Sequence, residues 1–156
     1  MTLPRISSLL LASLLVWGST DGLAEADARK DQVRAASAAW EAAYNARDVD
    51  LLMEQYTEDA VSMAPGFPAS VGSKAVRADL EAFFAAFEVD HTTDIKEIII
   101  VDDLAIERAD YADAIAPIGG EAETEHGKHV VIRRLGDDGQ CRVLWEIWNA
   151  NPAAAE

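Results

Sequence analysis

From residue 27 onward the apolar positions of this chain recur first at a helical period and then at a strand period. Over residues 27–46, Val33, Ala36, Trp40, Ala43 and Tyr44 return at intervals of three and four, with Asp, Arg and Glu between them. That spacing predicts an amphipathic helix. Asp48 stands where it can cap a second, short helix with Val49, Leu52 and Tyr56 on one face. Pro65, Gly66, Pro68 and Gly72 mark a loop. Ser73 then reads as the cap of a third helix, striped by Val76, Leu80, Phe83, Phe84 and Phe87. After Val89 the pattern predicts strands: Ile95–Val101, a turn at Asp102-Asp103, Leu104–Ile115, a Pro/Gly loop through Gly120, then His126–Leu135 and Gln140–Asn149. Gly136-Asp137-Asp138-Gly139 between the last two is a hairpin signal.

Three helices followed by an antiparallel meander predict an α+β domain over 27–150, its helices covering one sheet face, with a frayed tail at 151–156. In the last strand Leu144 and Trp148 point one way, while Val143, Trp145 and Ile147 point the other. The second apolar face needs a cover of its own, which predicts a homodimer through the outer sheet face.

The N-terminus reads as an address. Arg5 precedes an apolar run, Ile6–Trp17, which would span only about 18 Å as a helix and so falls short of a bilayer core of about 30 Å. With small residues at Gly22-Leu23-Ala24, residues 1–24 fit a secretory signal, and Ala24-Glu25-Ala26 offers a competing cut. A periplasmic or secreted protein follows, with no membrane attachment after cleavage.

Charge narrows the partners. The 156 residues carry 13 Lys+Arg against 28 Asp+Glu, a formal charge of -15, which repels nucleic acid and anionic membrane surfaces. The lone Cys141 has no intramolecular partner and reads as a small buried hydrophobe. No Cys-x-x-Cys pair, spaced histidine ligands or Gly-x-Gly-x-x-Gly loop is present, so neither a metal nor a nucleotide cofactor is indicated.

Longer motifs carry a resemblance. Ala39-Trp-Glu-Ala-Ala-Tyr-Asn-Ala-Arg-Asp-Val-Asp-Leu-Leu, Tyr56-Thr-Glu-Asp-Ala60, the Pro-Gly-x-Pro loop before Gly72 and the ending Cys141-Arg-Val-Leu-Trp-Glu-Ile-Trp-Asn resemble the nuclear transport factor 2-like superfamily. Within it, the chain is similar to the ketosteroid-isomerase-like and polyketide-cyclase-like (SnoaL-like) branch. The resemblance implies a cone-shaped, curved antiparallel sheet closed by three N-terminal helices, a pocket between them and a dimer. Ketosteroid isomerases use a carboxylate base with a tyrosine and a protonated aspartic acid as oxyanion donors, the general case on which this comparison leans. Matching the motifs puts Ala64 at the base, Trp40 at the tyrosine and Val131 at the neutral acid. All three are replaced, which argues against that mechanism.

The terminal hairpin suggests a substitute. With Asp137 and Asp138 as its two turn residues, His129 falls opposite Glu146 and Val131 opposite Leu144. The resemblance turns Leu144, Glu146 and Trp148 toward the pocket, with Glu107, Ala109, Tyr111 and Asp113 beside them. The candidate catalytic residues are therefore His129, Glu146 and Tyr111, in a cavity walled by Trp40, Tyr44, Tyr56, Met63, Phe67, Glu107, Val131, Leu144 and Trp148. A glutamate beside a histidine can make it a general base, or can simply form a structural pair. Two functions stay open: an exported binder of a small apolar or aromatic molecule, and a cofactor-free acid/base enzyme (isomerase, lyase or hydrolase). His91 reads as an exposed residue near a strand start.

Overall fold

A computed structural model describes residues 20–152; the run Ile6–Trp17 lies outside that range. Its elements are α1 (Thr20–Asn45), α2 (Val49–Met53), β1 (Tyr56–Met63), β2 (Ser70–Val71), α3 (Ser73–Ala86), β3 (Phe87–Val101), β4 (Leu104–Pro117), β5 (Glu123–Leu135) and β6 (Cys141–Ala150). They form a curved six-stranded sheet in the order β2-β1-β6-β5-β4-β3, an α+β fold whose helices cover the inner face. The core beneath α1 joins Val33 to Ile98, Ala105 and Cys141. A second cluster, Tyr56, Ala60, Val76, Val131 and Val143, meets Trp40 and Leu80 from the helices.

Several expected boundaries move, each for a local reason. Tyr56 does not complete the face of α2 but begins β1, a strand that runs parallel to β6 and makes the sheet mixed. The register slips between Tyr56 and Val61, and Glu58 between the buried Tyr56 and Ala60 is exposed, so no clean two-residue alternation announces it. Gly72, not Ser73, caps α3: its φ of 87° is open to glycine, and its carbonyl accepts from Ala75 and Val76. Asp48 does cap α2, accepting from the Leu51 N–H at 3.0 Å.

The terminal hairpin corrects the predicted pairing. Gly136 N–H donates to Gln140 O and Gly139 N–H to Gly136 O, with Gly139 at φ 76°, so the turn is longer than two residues. The longer turn shifts the register by one residue and a bulge in β6 by a second, which pairs His129 with Trp148 and Val131 with Glu146. Ile132 faces Trp145 and Arg133 faces Val143, which leaves Leu144 as the unpaired residue of a bulge.

Cross-strand registers place side chains in lateral rows on the inner face. Ile98, Glu107, Val131, Glu146 and Ser62 form one row. Ile95, Ala109, His129 and Trp148 form the next, followed by Thr93, Tyr111 and Gly127, then His91, Asp113 and Glu125. The outer face carries the opposite set, including the row Ile99–Ile106–Ile132–Trp145–Val61.

Candidate functional site

Between those inner rows, α1, α3 and the loop before β2 lies a cavity of about 730 Å³. α1 contributes Ser37, Trp40 and Tyr44, three and four residues apart on one face. Trp40 and Tyr44 stack with centroids 4.7 Å apart, and Tyr44 packs against Phe83 and Phe84 of α3. Those rings make one wall apolar. The sheet supplies the polar wall.

Its centre is a short hydrogen-bonded chain. Trp40 Nε1–H donates to the Tyr56 hydroxyl at 3.0 Å, and Tyr56 donates to the Glu146 carboxylate, 3.1 Å from either oxygen. Burial pushes the Glu146 carboxyl above the usual carboxylate range; hydroxyl contacts from Ser62 and Tyr56 and the Arg133 charge offset only part of this. Burial, then the Glu146 charge, holds the Tyr56 proton far above the phenol range. Glu146 sits directly across from Val131. A carboxyl therefore stands on the strand beside position 131.

Glu107 shows the reverse balance. It is fully buried, accepts from Ser37 Oγ at 3.1 Å and lies 3.4 Å from both Arg133 Nε and His129 Nε2. Burial alone would raise its pKa, yet His129, Arg133 and Ser37 outweigh it and hold Glu107 below its ordinary value. The His129 contact lacks hydrogen-bond geometry, so Nε2 is a buried atom without a partner among the described residues.

The sequence-selected residues divide clearly. Trp40, Tyr44, Tyr56, Glu107, Tyr111, His129, Val131, Glu146 and Trp148 all line the cavity. Phe67 does so from the rim, 76% exposed. Met63 and Leu144 are not lining residues: Met63 lies in register with Ile147 on the outward side, and Leu144 is the bulge residue. The expected His129–Glu146 pair does not form, because the longer turn and the bulge at Leu144 each shift β6 along β5 by one residue; His129 faces Glu107 and Glu146 faces Tyr56. Tyr111 stacks over His129 at 6.3 Å and donates to Glu125 at 2.7 Å, and burial with that carboxylate raises its pKa.

An imidazole–carboxylate pair across two strands does exist, at residues other than those expected. His91, taken as exposed, is buried at 6% exposure, and its Nδ1 lies 2.5 Å from Asp113 Oδ1. Its Nε2 is 2.9 Å from Thr93 Oγ1, and all three residues line the cavity. The signal lay in the alternation Val89, His91, Thr93, Ile95, whose members are the less exposed positions of β3 between exposed Glu88, Asp90, Thr92 and Asp94. Among the described residues no three His, Cys, Asp or Glu side chains converge as metal ligands.

Comparison with known proteins fits this geometry. A search of curated proteins gave no match. Among solved structures, a ketosteroid isomerase-like protein from Erwinia carotovora atroseptica is 24% identical, over 75% of this chain and 92% of that one, with a TM-score of 0.70. A nuclear transport factor 2-like protein with a cystatin-like fold from Novosphingobium aromaticivorans is 18% identical, over 88% and 93%, with a TM-score of 0.70. A protein from Catenulispora acidiphila, solved in complex with S-DNPA, is 16% identical over 80% and 94%, again with a TM-score of 0.70. At these identities the likeness is one of fold. The SnoaL-like domain family matches residues 37–144, the span from Ser37 at one wall of the cavity to the bulge of β6, and the chain belongs to that family.

Proposed function

We propose that this protein is an exported binder of a small, largely apolar molecule, held in the cone between α1 and the sheet. The observation that carries this reading is the cavity itself, about 730 Å³, walled by stacked aromatic rings on one side and hydrogen-bonded polar groups on the other. Such a volume matches the usual size of small-molecule sites, and this division of apolar wall and placed polar groups is their usual chemistry. The S-DNPA complex of the Catenulispora protein supports the same use of the fold. Native mass spectrometry of protein isolated from its own host tests it. A co-purifying organic ligand is expected; protein that remains bare at every stage of purification contradicts the reading.

A second reading has its own observation. Glu146 is a cavity carboxyl kept protonated above the usual range and joined to Tyr56, the arrangement of a general acid. Its hydroxyl partners are Tyr56 and Ser62, and Glu146→Gln with loss of turnover but retained binding would favour catalysis over storage.

Export and pairing complete the proposal. Residues 22–26, at which cleavage after Ala24 or Ala26 would cut, are exposed or half-buried, and the N-terminal sequence of the periplasmic protein tests it. The partner at the outer face is a second copy of this chain. Ile99 and Trp145, 45% and 47% exposed, end a continuous apolar row through Ile106 and Ile132, and Ile147 lies beside it.

A further inference from the structure

We infer that the His91–Asp113 pair is a proton-accepting site for the hydroxyl group of a ring-bearing ligand. The inference rests on the cavity-binding reading above and assigns that ligand a chemical class. Asp113, as a carboxylate, can only accept, so the 2.5 Å contact puts the His91 proton on Nδ1. In the neutral ring Nε2 is then an acceptor, and at present it faces the Thr93 hydroxyl at 2.9 Å. A ligand hydroxyl entering the cavity can take the place of Thr93 Oγ1 on Nε2. Its O–H bond breaks, the proton passes to Nε2, and the ligand oxyanion stays paired with an imidazolium whose other N–H remains on Asp113.

The surroundings hold this pair in place. Asn45 of α1 clamps the His91 backbone from both sides, donating to its carbonyl at 2.9 Å and accepting from its N–H at 2.8 Å. Glu41, one helical turn earlier, accepts from the Thr93 N–H at 2.8 Å. Two helix side chains are therefore spent on fixing the strand residues that present the imidazole and the hydroxyl, the support expected of a preorganised site. Trp40 and Tyr44 meet the His91 ring edge-on at 5.5 and 5.6 Å, and Tyr111 lies stacked 6.0 Å from it, so the approach to Nε2 is lined by aromatic surface. The charged and titratable groups around the ring are Asp113, Glu41, Tyr44 and Tyr111. His129 is the weaker candidate for this role, because its carboxylate neighbour Glu107 is shared with Ser37 and Arg133.

The test uses para-hydroxy-para′-nitrobiphenyl, a two-ring phenol whose phenolate is coloured, alongside its methyl ether, with the full mature protein. The phenol should bind at least about tenfold more tightly than the ether, the value of a hydrogen bond to a charged group. Its phenolate band should appear on binding at a pH where the free phenol is protonated. His91→Gln should abolish the band while the ether still binds, and Thr93→Val should keep it. Asp113→Asn, which reverses the tautomer, should weaken it. A band unchanged in His91→Gln, or equal binding of phenol and ether, overturns the inference while leaving the cavity reading intact. Failure of both compounds to bind overturns the two together.

Discussion

Two glutamates on one row of the inner face, Glu107 and Glu146, are separated by Val131 and pushed in opposite directions by their neighbours. Glu107 is depressed below the ordinary range, so its contribution is fully present above the unfolded value and is lost as pH falls through the lower folded one. Removing its charge with Glu107→Gln leaves Arg133 buried and unpaired, and should lower the unfolding free energy at neutral pH by about 3 kcal/mol, measured by urea denaturation. Glu146 is raised, so the folded state keeps its proton longer than the unfolded chain does. Stability therefore declines as pH climbs from the ordinary glutamate range through the raised value. The difference in unfolding free energy between wild type and Glu146→Gln should then shift in favour of the variant as pH rises above the ordinary glutamate range; a difference that stays constant with rising pH would refute the shift. The sequence made both carboxyls visible as inward-facing candidates. It could not reveal their partners, because the extra turn residue and the Leu144 bulge together move β6 two residues along β5 beyond the bulge, which exchanges the facing pairs there while Glu146 stays on the inner face.

At the scale of elements, the legible part was what periodicity encodes. Helix α1, the Asp48 cap and the Val101/Leu104 hairpin follow from spacing, while the inward set Glu107, Tyr111 and Asp113 follows from the family resemblance. What stayed hidden depended on irregularity. β1 carries a register slip, β6 a bulge at Leu144, and β3 begins at Phe87, eight residues before its β-branched stretch. His91 went unrecognised because Glu88, Asp90 and Asp94 make that stretch look like a polar loop, although its alternation is that of a half-buried strand. Gly127 has a similar hidden role. The Tyr111 ring crosses the strand there, and a Cβ would sit 2.1 Å from it. Gly127→Ala should destabilise by about 1–3 kcal/mol, and most of that loss should vanish in a Tyr111→Ala background. Additive effects in thermal unfolding of the double variant would show that the glycine is required for some other reason.

Across the whole molecule, one sheet serves two purposes through its alternation. The inner face carries the cavity; the outer face carries the row from Ile99 to Trp145. A charge placed in that row should separate the copies: Trp145→Lys is expected to sediment as a monomer at concentrations where wild type is a dimer, with ligand binding preserved. A wild-type monomer at the same concentration would remove the dimer from the account. The acidic surface, net -15, sets which ligands arrive rather than how they are held, since a neutral or weakly acidic phenol is repelled less than a dianion.

Filling the cavity at its centre addresses the main claim most directly. Val131, opposite Glu146 and buried, points into the space between the polar chain and the aromatic wall. Titration of the two-ring methyl ether, followed by quenching of Trp40 and its neighbours, should give saturable binding to wild type. Val131→Trp, confirmed as folded by an unchanged far-ultraviolet dichroism spectrum, should weaken that binding at least about tenfold. Equal affinity in the two proteins, or no saturable binding to wild type, would mean that the interior does not hold a guest.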